Sequence, residues 1–120
     1  MEEEYLHIQM IDGITVLEIQ SERLDLFRTP ELSREVETHL RNSGYTSTIF
    51  DLRSLSYIDS SGFGFMVAVR NSVHKNGGIV AIVATGENIL HVIRLMNIQL
   101  LFPVFGTIEE AVEHIMKAQS

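Results

Sequence analysis

Six consecutive apolar residues, Ile79-Val80-Ala81-Ile82-Val83-Ala84, stand between Gly77-Gly78 and Thr85-Gly86. A strand with one wet face alternates apolar and polar residues, so an unbroken run bounded by turn formers predicts a strand covered on both faces. Covering both faces requires other layers, and the flanking segments read as helices. Before the run, Asp59 to Asn76 carry Phe63, Met66, Val67, Val69, Arg70 and Val73. After it, Thr85 is suited to cap a helix in which Ile89, Leu90, Val92, Ile93 and Met96 form an apolar stripe. That helix is expected to end at Asn97, which tolerates the left-handed conformation past a helix end.

The rest of the chain extends the pattern. Tyr5 to Ile11 and Ile14 to Ile19 are β-type runs separated by Asp12-Gly13, residues that accept the positive φ angles of a type I′ hairpin turn. Thr29-Pro30-Glu31 reads as a helix start with Thr29 as cap, Leu32, Val36 and Leu40 share one face, and Asn42-Ser43-Gly44 closes the helix. Thr46 to Leu52 and Phe102 to Phe105 are further strands, and Thr107-Ile108-Glu109-Glu110 fits a capping box ahead of a last helix carrying Ala111, Val112 and Ile115. Helices are thus expected to begin near Pro30, Ser60, Gly86 and Ile108. The order ββαβαβαβα predicts one α/β domain over residues 1–120. Its mixed sheet has four or five strands, with an antiparallel N-terminal hairpin and mostly parallel pairing elsewhere, and about four helices.

Composition narrows the function. The 120 residues hold no cysteine, which excludes thiolate catalysis, Cys-ligated zinc and a disulfide framework. Sixteen acidic against nine basic residues give a formal charge of −7, and a nucleic-acid backbone needs the opposite sign, so a protein or small molecule is the expected partner. No apolar stretch approaches the about 20 residues of a membrane span. The acidic start Met1-Glu2-Glu3-Glu4 is unlike a secretory signal, so a cytoplasmic location is expected, with the glutamates in solvent. His7, His39, His74, His91 and His114 show no metal-ligand spacing, and no P-loop or Gly-x-Ser-x-Gly elbow occurs. Neither a catalytic residue, a metal nor a cofactor is predicted.

The segment Ser56-Tyr57-Ile58-Asp59-Ser60-Ser61-Gly62-Phe63-Gly64 places hydroxyls and glycines where a strand passes into a helix. Helix N-termini beyond the carboxyl ends of strands collect ligands in α/β folds, and free N–H groups there favour an anion. Gly62 and Gly64, lacking Cβ, would let a partner surface come close. The same residues also fit a plain structural reading, in which Asp59 or Ser60 caps the helix and the glycines ease packing.

The stretch Phe50-Asp51-Leu52-Arg53-Ser54-Leu55-Ser56-Tyr57-Ile58-Asp59-Ser60-Ser61-Gly62-Phe63-Gly64 resembles the signature of STAS domains of the anti-sigma factor antagonist family. Leu24-Asp25 resembles the family's Leu-Asp after the second strand, and Phe102-Pro103-Val104-Phe105 before Ile108-Glu109-Glu110-Ala111 its closing strand and helix. The resemblance implies a STAS-like fold without catalysis of its own. It implies phosphorylation of Ser60 by a partner anti-sigma factor that is also a serine kinase, and a partner-binding surface of Asp25, Asp59, Ser60, Ser61, Gly62 and Phe63. The unphosphorylated form would bind that kinase and release a sigma factor. A non-catalytic scaffold or sensor, or a transporter accessory subunit, is the other role such domains fill. Oligomeric state is not specified. The chain departs from the family pattern in having Glu22 for a usual Gly, Phe63 for Leu, and Asn97 for a Gly that often follows the third helix.

Overall fold

The computed structural model of the chain describes residues 5–119, so the acidic run Glu2-Glu3-Glu4 lies outside the described residues. Strands β1 (Leu6–Ile11) and β2 (Ile14–Ile19) form the expected hairpin, with Leu6 opposite Ile19 and Ile11 opposite Ile14. At the turn Asp12 and Gly13 have φ of 50° and 79°, the two positive angles a type I′ turn requires. A two-residue strand β3 (Arg23–Leu24) follows, then α1 (Thr29–Ser43), β4 (Thr48–Asp51), a second two-residue strand β5 (Tyr57–Ile58) and α2 (Ser60–Lys75). The chain continues through β6 (Val80–Val83), α3 (Glu87–Leu95), a 3-10 turn (Ile98–Leu100), β7 (Val104–Phe105) and α4 (Ile108–Ala118).

The five-stranded sheet has the order β1-β2-β4-β6-β7, antiparallel in its first pair and parallel in the rest. Every residue of β6 is buried, as the apolar run requires, and the strand is interior, although the middle position belongs to β4. The crossovers through α1, α2 and α3 all advance in the same direction across the sheet. With one crossover hand they must share a face. Accordingly Leu32, Val36, Leu40, Met66, Val69, Val73, Ile89 and Ile93 join Leu17, Phe50 and Ile82 in one core. Strand residues one position along point the other way, and Ile14, Val16, Ile49, Ala81 and Val83 pack against Ala111 and Ile115 of α4. Phe50 anchors the larger core with edge-on contacts to Phe65 and Phe102, ring centroids 5.8 and 6.4 Å apart.

Two expected caps are corrected. Thr29 is the first residue of α1 rather than its cap, and its buried hydroxyl has no hydrogen-bond partner among the described residues. No side chain caps α1; Asp25 instead shapes the turn that leads into it, its Oδ1 accepting from Phe27 N and Arg28 N at 3.1 and 3.2 Å and its carbonyl from Thr29 N at 2.9 Å. Helix α3 is preceded by Gly86 with no side-chain cap, so Thr85 does not cap it. The other boundaries match their signals. Gly44 ends α1 at φ 78°, and Asn97 follows α3 at φ 56°. Thr107 Oγ1 accepts from Glu110 N at 3.1 Å, while the return bond joins the Thr107 hydroxyl to Glu110 Oε1 rather than to the Thr107 backbone.

Candidate functional site

The strands β3 and β5 have too few residues to display a period, yet they build the site. They pair in parallel, Arg23 with Tyr57 and Leu24 with Ile58, and so clamp the loop entering α1 against the loop entering α2. Glu22 contributes through its carbonyl, which accepts from Ser56 N at 2.7 Å and Tyr57 N at 3.2 Å. Its φ is not positive, so the backbone there makes no demand for glycine.

Asp59 caps α2 with an extended backbone. Its Oδ1 accepts from Ser61 N at 2.9 Å, Gly62 N at 3.0 Å and the Ser61 hydroxyl at 2.7 Å. Its Oδ2 reaches across to the other loop and accepts from Leu26 N at 3.0 Å. Desolvation on its own would push this carboxyl up, but the bonds from Ser61, Gly62 and Leu26 together outweigh it and hold the group below its ordinary range. Asp59 is therefore an ionised staple between two loops as well as a cap.

This arrangement separates the two serines. The Ser61 hydroxyl is committed to Asp59 and its side chain is half-buried, whereas Ser60, the first residue of α2, is exposed. The N–H groups expected to be free for an anion are not: Asp59 already holds those of Ser61 and Gly62. A phosphate on Ser60 would compete with that carboxylate or stand outward in solvent.

The two glycines also differ. Gly62 is buried, and a Cβ there would run into the carbonyl oxygen of Leu24 and lie 2.9 Å from Leu24 Cγ. The close approach it permits is internal, between α2 and β3, and does not open onto a partner. Gly64 is exposed, with nothing within 4 Å of a Cβ. Gly62→Ala is accordingly expected to lower the unfolding free energy by about 1–3 kcal/mol through overpacking. Gly64→Ala should raise it by about 0.5–1 kcal/mol by limiting the unfolded chain. Urea titrations of both variants check the pair.

Phe63 is half-buried and packs against the larger core, so its added bulk over leucine is absorbed inward. Asp25, held by its bonds to Phe27, Arg28 and Arg23, stands on the loop that Asp59 staples. Asp25, Asp59, Ser60, Ser61, Gly62 and Phe63 thus all belong to the two clamped loops and the first turn of α2. Sequence reasoning missed the staple to Leu26; the sequence carries no signal for it beyond an apolar Leu26-Phe27 pair beside Asp25. Among the described residues, no three His, Asp or Glu side chains converge as metal ligands would, and no helix is long and apolar enough to cross a membrane.

The STAS domain family profile matches residues 5–111. The chain belongs to the STAS domain family. A Thermotoga maritima protein assigned as an anti-sigma factor antagonist is 26% identical to this STAS domain over 91% of the chain and 96% of its own length. The crystal structure of an anti-sigma factor antagonist from Thermotoga maritima superposes with a TM-score of 0.82 at 24% identity, covering 92% of this chain and 94% of that one. The anti-sigma-B factor antagonist of Staphylococcus aureus is 32% identical over 66 residues, 55% of this chain and 60% of that protein. Bacillus SpoIIAA in its phosphorylated form shares the fold at a TM-score of 0.67 and 18% identity, over 92% of this chain and 98% of that one. The five-stranded mixed sheet and four helices described above are the STAS fold.

Proposed function

We propose that the protein is an anti-sigma factor antagonist that docks, unphosphorylated, on an anti-sigma factor kinase, displaces a sigma factor, and is switched off when that kinase phosphorylates Ser60. The observation that carries this reading is the division of labour at the start of α2: one hydroxyl is committed to Asp59 and the next is presented to solvent. A kinase needs an acceptor that can leave the surface and enter its active site, and Ser60 meets that need where Ser61 does not. The names of the Thermotoga and Staphylococcus relatives support the same role, and SpoIIAA has a phosphorylated form.

In this proposal the docking surface comprises Ser60 with Asp25, Asp59, Ser61 and Phe63, while Gly62 acts from beneath by letting α2 sit against β3. The protein supplies no catalysis, the chemistry being the kinase's, and residues 1–120 act as one STAS-like unit in the cytoplasm. A phosphoryl group brings about −1.5 to −2 charges beside Asp59 on a chain already at −7, which opposes docking on any partner that accepts that acidic edge.

Co-purification from native cells, with the retained protein identified by mass, supplies the kinase. Incubation with that kinase and ATP followed by peptide mass spectrometry is expected to place phosphate on Ser60. Phosphate on Ser61 alone would move the site by one residue. No phosphate, with binding intact, would replace the switch by the scaffold or transporter-subunit role.

A further inference from the structure

We propose that Leu26 and Phe27 are the apolar anchor of this chain, seating in a pocket of the anti-sigma factor whose floor is apolar and whose rim is basic; the inference rests on the function proposed above. Phe27 is 89% exposed and Leu26 64%, in adjacent positions between β3 and α1. Single exposed apolar side chains are ordinary on a protein surface. Two in succession, with the larger almost wholly in water, form a different surface when the backbone beneath them is held still.

Here it is held at consecutive residues. Leu26 N donates to Asp59 Oδ2, and Phe27 N and Arg28 N donate to Asp25 Oδ1. The tip is therefore preset, which removes much of the ordering entropy that a partner would otherwise have to overcome. Aromatic side chains, phenylalanine among them, are enriched in protein interfaces, where a few buried anchors carry much of the binding energy.

Charge selects the occupant. Three carboxylates, Asp25, Asp59 and the exposed Glu22, stand around the tip against two local cations; Arg23 pairs with Asp25 at 3.3 Å, and both arginines also lie over aromatic rings, so the edge keeps an acidic excess. The Arg23 guanidinium carbon lies 4.4 Å from the centre of the Tyr57 ring, and that of Arg28 lies 3.3 Å from the centre of the Tyr5 ring. A second copy of the chain would bring the same carboxylates and the same −7 charge against itself. A pocket with a basic rim complements the tip. The staple from Asp59 also ties the anchor to the residue before Ser60, so anchor and phosphorylation site meet the partner as one rigid edge.

Calorimetry of the full chain against the purified kinase identified by co-purification tests the anchor. Phe27→Ala is expected to weaken binding roughly thirtyfold, the size of an interface hot spot, with its thermal transition unchanged because the ring is exposed. Phe27→Leu should stay within about threefold of wild type, and Leu26→Ala should fall between them. Wild-type affinity in Phe27→Ala, with the wild type phosphorylated on Ser60, overturns the anchor and leaves the proposed function standing. A wild type that neither binds nor is phosphorylated overturns both. A wild-type dimer in sedimentation that Phe27→Ala dissolves, with kinase affinity unchanged, makes the second copy the occupant and overturns the proposal.

Discussion

Phosphate on Ser60 is expected to weaken binding to the anti-sigma factor kinase about a hundredfold, Ser60→Asp about tenfold, and Ser60→Ala hardly at all. The graded series follows from charge. A docked partner must accept the edge formed by Asp25, Asp59 and the first turn of α2, and like charges brought into contact cost several kcal/mol. Aspartate adds one charge on a short arm, and phosphate adds about two with three acceptor oxygens. The helix end cannot absorb them cheaply, because Asp59 already occupies the N–H groups of Ser61 and Gly62. Alanine is tolerated for the same structural reason: the cap is Asp59, so Ser60→Ala removes no capping bond and should shift stability by no more than about 0.5 kcal/mol. Calorimetry on wild type, phosphorylated wild type and the two variants, with a thermal transition for each, measures the series. Equal affinity in all four would make Ser60 an inert surface residue and the domain a constitutive scaffold.

Features encoded by neighbouring residues could be read directly from the chain. Asp12-Gly13, Gly44, Asn97 and Thr107 each act within a few positions, and all four have the backbone or bond their residue type predicts. The burial of β6 was equally legible, since six apolar residues in succession have no other use in a short strand. What could not be read was set by distant partners. Thr29 looks like a cap, but Asp25, four residues earlier, folds back onto the amides that lead into α1 and draws the helix start forward. β3 and β5 exist only because Glu22 and Leu24 accept bonds from Ser56, Tyr57 and Asp59, and a two-residue pairing leaves no periodic trace. At the site, motif resemblance singles out Asp59 and Ser60, whereas the staple from Asp59 to Leu26 joins residues 33 positions apart and leaves no local pattern in the chain.

That staple gives the second large effect. Asp59→Ala removes every acceptor at once and leaves Leu26 N, Ser61 N and Gly62 N without their partner, so the unfolding free energy should fall by about 2–3 kcal/mol. Asp59→Asn separates the two jobs. Asparagine is as good a cap as aspartate, and its single oxygen should turn toward the three donors from Ser61 and Gly62. Its amide then faces Leu26 N, donor against donor, so the cap survives while the staple is lost. A stability loss of no more than about 1 kcal/mol is expected, together with clearly weaker kinase binding, because the Leu26-Phe27 tip is released. The pH dependence identifies the cause. Hydrogen bonds hold the folded Asp59 carboxyl below its reference value of 3.8, so its stabilisation is complete by about pH 5, weakens as pH falls past that reference value, and disappears below the lower folded value. The gap in unfolding free energy between wild type and Asp59→Ala should therefore stay constant from pH 7 to about pH 5 and narrow in more acidic solution. Other carboxylates titrate in both proteins and largely cancel in the difference. A gap that stayed flat to pH 3 would mean that the ionised carboxylate contributes nothing, and that Asp59 acts through its shape alone.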